Sequence, residues 1–512
     1  METPFDIIIV GAGSAGSVIA ARVTEDPSKH VLLLEAGPDY PDISETPFDL
    51  VNSHNNSYRD HDWGQAYRPT RDREVAFPRG RVTGGSSAVN TAIALRGMPE
   101  DYDEWADLGN REWTWDNVLI AFNRLERDLD FGHEPYHGDA GPISIRRYPM
   151  AELLPQHQAF LSSARDLGYP DCNDANEPSG WGSGPHPMNK LGRLRISCAV
   201  GYLAPARIRP NLEIRANTLV RRLVIKGGRC TGVEVETASG EVTELFARLV
   251  VLSAGALMSP AILLRSGVGP KAQLEQLGID VVSDTPGVGQ NLSDHPALAV
   301  ACIVKDASII DFDAPLIQTI LRYTADGSDK RNDLQIEQIS FTGKPGDPPM
   351  FAIAAVLEYQ YGRGELRLEN ADPHVNPVVD NRFCEDERDV TRLVGCFKDT
   401  LAFTRTGALA DLVEQVTFPD PARAADDEAI AGFCRRFSAS GYHPCGTLKM
   451  GPGDDPQAVV DQFGCCHNLD GLVVADASIM PGVPRANTNL TCIMIGEMIG
   501  EWLRTSPTRY GL

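Results

Sequence analysis

The sequence predicts an α/β protein, α+β overall, in which a parallel sheet flanked by helices is joined to a second unit of antiparallel strands backed by helices. Three observations predict it. A glycine-rich turn links two apolar strands over residues 5–37; the strand–turn–helix pattern recurs over 249–267; and residues 298–380 break into short alternating segments punctuated by Gly, Pro and Asp.

The first segment, "FDIIIVGAGSAGSVIAARVTEDPSKHVLLLEAG", reads as a strand over 5–10, glycines at 11, 13 and 16 opening a helix, and a second strand ending at Glu35. Gly11 permits the tight turn. Gly13 lets a pyrophosphate approach the backbone, and Gly16 lets the helix pack close on the strand. The unpaired amides and partial positive charge of the helix start then face the phosphates. Glu35 lies 35 − 16 = 19 residues past the last glycine, where a carboxylate accepts the hydroxyls of an adenosine ribose. A carboxylate there disfavours a 2′-phosphate and hence NADP, while NAD and FAD both fit this Rossmann-like start.

Further on, "LVVLSAGALMSPAILLRSG" gives a strand over 249–253, a small-residue turn at Ala254-Gly255 and a helix. Strands beginning near 5, 31, 249 and 471 are therefore expected in one parallel sheet. "DLQIEQISF", "FAIAAVLEYQY" and "GELRLEN" supply the antiparallel sheet, and the helical stretch 386–404 follows.

With 512 residues the chain is long enough for two intimate domains with a sizeable core. A formal net charge of −23 opposes binding to nucleic acid or anionic membrane, leaving small molecules as ligands. The start "METPFDIIIVGAG" has no basic n-region, and no stretch approaches the ~20 apolar residues of a membrane span, so a cytoplasmic protein without a membrane span is expected. Eleven scattered cysteines do not form a disulfide framework. The vicinal Cys465-Cys466 pair has no partner pair at zinc-like spacing, so no metal site is expected.

The segments "RGRVTGGSSAVNTAIALRGMPEDYDEW" (79–105), "GALMSPAILLRSGVG" (255–269), "GVGQNLSDHP" (287–296), "YHPCGTLKMG" (442–451) and "GLVVADASIMPGVPRANTNLTCIMIGEMIGEWL" (471–503) together resemble the glucose-methanol-choline (GMC) family of FAD-dependent oxidoreductases, over essentially the whole chain. Among family members the likeness is to bacterial alcohol oxidases of the hydroxymethylfurfural-oxidase and choline-oxidase kind. Thr83 departs from the usual aliphatic residue. The resemblance implies a discontinuous FAD-binding domain over 1–150, 195–297 and 436–512, and a substrate-binding domain over 151–194 and 298–435. It implies that FAD rests on Gly11, Gly13, Ser14, Ala15 and Gly16; on Glu35 and Ala36; on Arg81, Gly84, Gly85, Ser86 and Asn90; on Val220, Ala254 and Gly255; and on Tyr442, Asp476, Ala477, Asn487 and Thr488. Relatives that tether the flavin use a histidine where this chain has Val89, so the FAD is expected to be non-covalent.

The family pairs a histidine in a "YH-x-x-GT" segment with a His or Asn about 44 residues on; here 487 − 443 = 44 and the pair is His443 and Asn487. A hydride leaves a carbinol carbon with difficulty while the hydroxyl keeps its proton. A histidine is suited to take that proton near neutral pH, and an asparagine can donate to the developing alkoxide without losing a proton of its own. Asn487 precedes a helix expected over about 489–504, with Asn489 as its cap, whose start stabilises negative charge on the reduced ring. Tyr442 and Pro444 are expected to hold the imidazole. The function implied is oxidation of a primary alcohol to the aldehyde, extending through the hydrated aldehyde to the acid, with O2 or another acceptor, in a monomer or homodimer. The alternative class is an FAD-containing lyase of the hydroxynitrile-lyase type, which resembles this family and keeps the flavin redox-idle. A flavin-binding structural protein is a third reading.

Overall fold

The computed structural model describes residues 5–512; the first four residues of the expected 1–150 segment lie outside this range. Strand Phe5–Val10 lies parallel between Val31–Leu34 and Val242–Leu252, with Ile8 opposite Leu32 on one side and Val250 on the other. Their aliphatic runs, residues 7–10, 31–34 and 249–252, are buried, as strands covered on both faces must be. Leu472–Val474 joins the outer side of Val242–Leu252. The four expected strands thus meet in one parallel sheet, although 219 residues (253–471) separate the last two. That sheet also takes Leu212–Arg215 beside Val31–Leu34 and continues, through the long Val242–Leu252 strand, into an antiparallel ribbon with Arg229–Thr237 and Thr218–Lys226.

Two helices place their first turns at the carboxyl end of this sheet. Ser14–Val23 and Thr488–Thr505 cross closely because Gly496 has no side chain: a methyl there would lie 2.8 Å from Val18 Cβ and 2.9 Å from the Ala15 carbonyl. A buried clamp holds the crossing, with Arg22 donating to both oxygens of Glu497 at 2.9 and 2.8 Å and Tyr202 donating to the same carboxylate at 2.6 Å.

The second sheet is antiparallel, in the order Val413–Phe418, Pro296–Val304, Met350–Leu357, Leu334–Thr342, Ile317–Tyr323 and Gly182–Pro185. "GELRLEN" departs from expectation. Its strand Glu365–Arg367 pairs with Val378–Asp380 in a small separate sheet that reaches Ala66–Thr70, because the chain turns away after Leu357. Helix Glu387–Phe403 backs the large sheet, started by Asp386, whose side chain accepts from the Arg388 amide. Phe403 stacks on Phe160 of Pro155–Asp166 at 4.7 Å, so residues on either side of the sheet's strands share one core. Among the described residues no helix is long and apolar enough to cross a membrane.

Candidate active site

The glycine turn behaves as its sequence dictates. Gly11 has φ +97°, and a methyl on it would sit 2.5 Å from the Ser253 carbonyl; one on Gly16 would sit 2.0 Å from the Gly11 carbonyl. Both glycines are required by the protein itself. Gly13 differs, since a methyl there meets nothing closer than Gly85 Cα at 4.0 Å, so its bareness serves the cavity it lines. Gly85 (φ +52°) closes on Gly13 from the other side, and a methyl on it would fall 2.7 Å from Gly13 Cα. Two bare backbone segments thus face each other at a helix start, a cradle fitted to a pyrophosphate.

Beyond this cradle, Glu35 Oε2 accepts from the Ala12 amide at 3.0 Å and Oε1 from the Gly37 amide at 2.9 Å. Burial pushes its carboxyl up to about 7 against these two hydrogen bonds. The second strand–turn–helix is pinned in the same manner. Asp476 Oδ2 accepts from the Gly255 amide at 2.8 Å and the Ser259 hydroxyl at 2.6 Å.

The cavity, about 570 Å³, runs from this cradle to the face of the antiparallel sheet. His443 and Asn487 lie on its wall. Asn487 Nδ2 donates to His443 Nε2 at 3.0 Å, and His443 Nδ1 lies 2.9 Å from His295 Nδ1. Asp294 accepts from the main-chain amides of both histidines, at 2.9 Å from His443 and 2.7 Å from His295, and its other oxygen accepts from Ser440 Oγ at 2.5 Å. Gly441 lets this happen: a methyl there would lie 3.1 Å from His443 Nδ1. Burial, and then the electrostatics of the neighbouring His295 and Arg79, hold His443 well below the ordinary histidine pKa, so the ring is neutral near neutral pH.

The stiffness of the "GYHPCG" turn therefore comes from Asp294, His295 and Gly441, with Tyr442 held in a left-handed conformation (φ +68°) by the Ser440 hydroxyl and by Arg79, which donates to its carbonyl. "GVGQNLSDHP" contains Asp294 and His295, so the signal was in the sequence; their contact with His443 was not. Helix Thr488–Thr505 begins one residue earlier than expected and puts Asn487, not Asn489, at the cap position. The Asn487 side chain makes no capping bond because it turns to His443, and Asn489 Oδ1 accepts from Ser14 Oγ at 2.9 Å instead. Asn487 Oδ1 and Asn489 Nδ2 are buried without partners, orphaned polar atoms at a helix start that fit the polar edge of a bound flavin.

Of the other expected cofactor contacts, Ser14, Ala15, Ala36, Ser86, Asn90, Val220, Ala254, Gly255, Tyr442, Ala477 and Thr488 line the same cavity, as does Val89. Gly16, Arg81 and Gly84 do not. Gly16 is spent on helix–strand packing, Gly84 donates its amide to the Ala12 carbonyl at 2.7 Å, and Arg81 is exposed over the Trp63 ring at 5.0 Å. All eleven cysteines are free.

A buried group of Glu126, Asp128 and His137 has metal-ligand spacing that the sequence reading did not find. Most of its atoms are engaged by the protein, although Glu126 Oε2 is buried without a hydrogen-bond partner. His137 bridges Glu126 at 2.6 Å and Asp174 at 2.8 Å, Arg147 pairs with Asp128 at 2.7 Å, and Arg96 pairs with Glu126 at 2.5 Å. Burial opposes charge on His137, but these hydrogen bonds outweigh it and raise its pKa, which favours the protonated ring beside the carboxylates.

A parallel sheet ending in two bare-backbone turns, with a neutral histidine and an asparagine at the far end of the same cavity, defines a dinucleotide-dependent oxidoreductase. The comparisons give the family. GMC oxidoreductase models match residues 5–297 and 360–496, and the chain belongs to the GMC oxidoreductases. It is 36% identical to 5-(hydroxymethyl)furfural oxidase of Methylovorus sp. (strain MP688), covering 98% of this chain and 99% of that one. It is 33% identical to the oxygen-dependent choline dehydrogenase of Sinorhizobium medicae, covering 97% and 95%. Among solved structures, pyridoxine 4-oxidase from Mesorbium loti superposes with a TM-score of 0.90 at 29% identity, covering 97% of this chain and 98% of that one. The protein is an FAD-dependent oxidoreductase acting on CH–OH donors.

Proposed function

We propose that the protein oxidises a primary alcohol to the aldehyde, and the hydrated aldehyde onward to the acid, with His443 as the base. The observation that carries this is the pair formed by neutral His443 Nε2 and the Asn487 amide on the cavity wall. Because Asn487 Nδ2 can only donate, His443 Nε2 is the bare, accepting nitrogen, and the proton of the neutral ring sits on Nδ1 facing His295. Burial pushes His295 down to about 3, so it is a neutral acceptor for that proton. His443 Nε2 is thereby kept unprotonated, and a substrate hydroxyl that displaces the Asn487 N–H from it can give up its proton there. The second N–H of Asn487 is free to meet the substrate oxygen as charge develops on it.

FAD, when bound, supplies the hydride acceptor. The glycine cradle and Glu35 would hold its adenosine and pyrophosphate half, and the first turn of Thr488–Thr505 would lie at its ring. Val89 carries no nucleophile, which favours a non-covalent cofactor. The distribution of strands between the two large sheets supports the division into 1–150, 195–297 and 436–512 against 151–194 and 298–435.

An anaerobic screen of aromatic, aliphatic, amino and polyol alcohols tests the reading. An oxidase bleaches its flavin on mixing and recovers in air. A dehydrogenase bleaches and recovers only with another acceptor. A lyase or a structural protein does not bleach, which would overturn the proposal.

A further inference from the structure

The sheet wall of the cavity carries carboxylates that the reaction does not use. Strand Leu334–Thr342 pairs with Met350–Leu357 so that Gln335 faces Val356 and Glu337 faces Ala354, and Pro296–Val304 brings Ala297 and Ala299 opposite the same two residues. Side chains alternate along a strand, so one face presents Gln335 and Glu337 beside a floor of alanines. The short floor leaves room in front of the Glu337 carboxylate, and all these residues line the cavity.

Glu337 is held in place at one oxygen. Oε1 accepts from Gln335 Nε2 at 2.6 Å and lies 3.3 Å from His186 Nε2, while no hydrogen bond among the described residues reaches Oε2. A second carboxylate, Glu358, lines the same cavity at 1% exposure, and its Oε2 is buried with no partner, 3.6 Å from His295. Burial pushes Glu358 up to about 8, so near neutral pH it is mostly the neutral acid, and a cation arriving beside it would favour its ionisation.

Other charged groups on the cavity are already engaged. Glu35 and Asp476 are tied to backbone amides, and Arg79 donates to the Pro78 and Tyr442 carbonyls. Arg322, whose field Glu358 feels, spends its donors on the Ala175 and Arg485 carbonyls and does not line the cavity. The sheet wall is left with two acidic side chains, Glu337 and Glu358, and no Lys or Arg among its lining residues.

We propose that this wall is a cation subsite in which Glu337, steered by Gln335 and backed by Glu358, receives the ammonium group of an amino-alcohol substrate. The inference rests on reading the cavity as an alcohol site. An ammonium gains more here than a hydroxyl, because a hydrogen bond with a charge on both partners is roughly twice as strong as a neutral one.

The test uses FAD-loaded enzyme at neutral pH in anaerobic stopped-flow, with aminoalcohols from aminopropanol to aminohexanol, each matched to the unbranched alkanol of equal heavy-atom length, and benzyl alcohol as a neutral reference. At the best chain length the ammonium alcohol should be preferred by about tenfold or more in reduction rate over dissociation constant. Glu337→Gln should lower that preference ratio by a similar factor. It should also raise, by about tenfold, the inhibition constant of an alkylammonium ion that lacks a hydroxyl. Equal use of charged and neutral partners by the parent enzyme, or an unchanged ratio in Glu337→Gln, overturns the subsite while benzyl alcohol still reduces the flavin. If no alcohol reduces it, the alcohol-oxidising reading falls, and the subsite with it.

Discussion

Asn487 Nδ2 donates to His443 Nε2 across 3.0 Å, and this one hydrogen bond orders the site: it assigns the tautomer of His443 and leaves its accepting nitrogen turned to the cavity. Asn487 can make it because the residue stands at a helix cap without capping, so its side chain is released to the histidine.

The pH dependence follows from burial. Because desolvation and the neighbouring His295 and Arg79 lower the His443 pKa, the base form persists below 6.5, and flavin reduction should stay flat from neutral pH downward before falling on the acid side. The sign is fixed: protonation removes the base, so rate is lost as pH falls. A pH profile of the reduction rate constant checks this, and an acid limb centred above pH 7 would contradict it.

Two glycines five residues or fewer apart should respond differently. Gly16→Ala forces a methyl to 2.0 Å from the Gly11 carbonyl and should lower the melting temperature of the apoprotein. Gly13→Ala has no protein clash, its nearest neighbour lying 4.0 Å away, so the apoprotein should melt as the parent does while FAD affinity falls. Calorimetry of apo and FAD-loaded forms distinguishes the two, and a Gly13→Ala protein that binds FAD normally would remove that turn from the cofactor site.

Glu35→Ala should weaken FAD binding by about 1–3 kcal/mol, the scale of lost charge-assisted hydrogen bonds. Its amide partners, Ala12 and Gly37, stay bonded to a carbonyl oxygen in Glu35→Gln only at one position, so that variant should fall between parent and Ala. Fluorescence titration of apoprotein with FAD gives the numbers, and unchanged affinity would dismiss Glu35.

Denaturing the holoenzyme in acid should release all of its flavin to the supernatant, since Val89 occupies the position used for tethering. Yellow colour retained on the precipitated chain would refute a non-covalent cofactor.

Much of this was legible in the chain. Gly11 and Gly16 are dictated by a turn whose geometry every such strand–helix junction shares, and the aliphatic runs at 5–10, 31–34 and 249–252 announce a sheet buried on both faces. The 44-residue spacing of His443 and Asn487 identified the pair through family resemblance. What the sequence hid were contacts set by packing. Asp294 and His295 meet His443 across 148 residues or more, and Leu212–Arg215 is too short and too polar to announce its place beside Val31–Leu34. The alternation in "DLQIEQISF" told which residues share a face, but only the sheet's position over the cavity revealed that Gln335 and Glu337 look inward.

The central claim is that His443 removes the alcohol proton while Asn487 steadies the charge left behind. Anaerobic stopped-flow at saturating substrate measures it directly in His443→Ala, Asn487→Ala and the double variant. His443→Ala should slow flavin reduction by roughly 10²–10⁴ with FAD content retained, the usual contribution of a positioned base. Asn487→Ala should cost less, on the order of 10–10³, and the two losses should fall short of additive because both groups act on one oxygen. A His443→Ala enzyme that reduces its flavin at the parental rate would contradict the account.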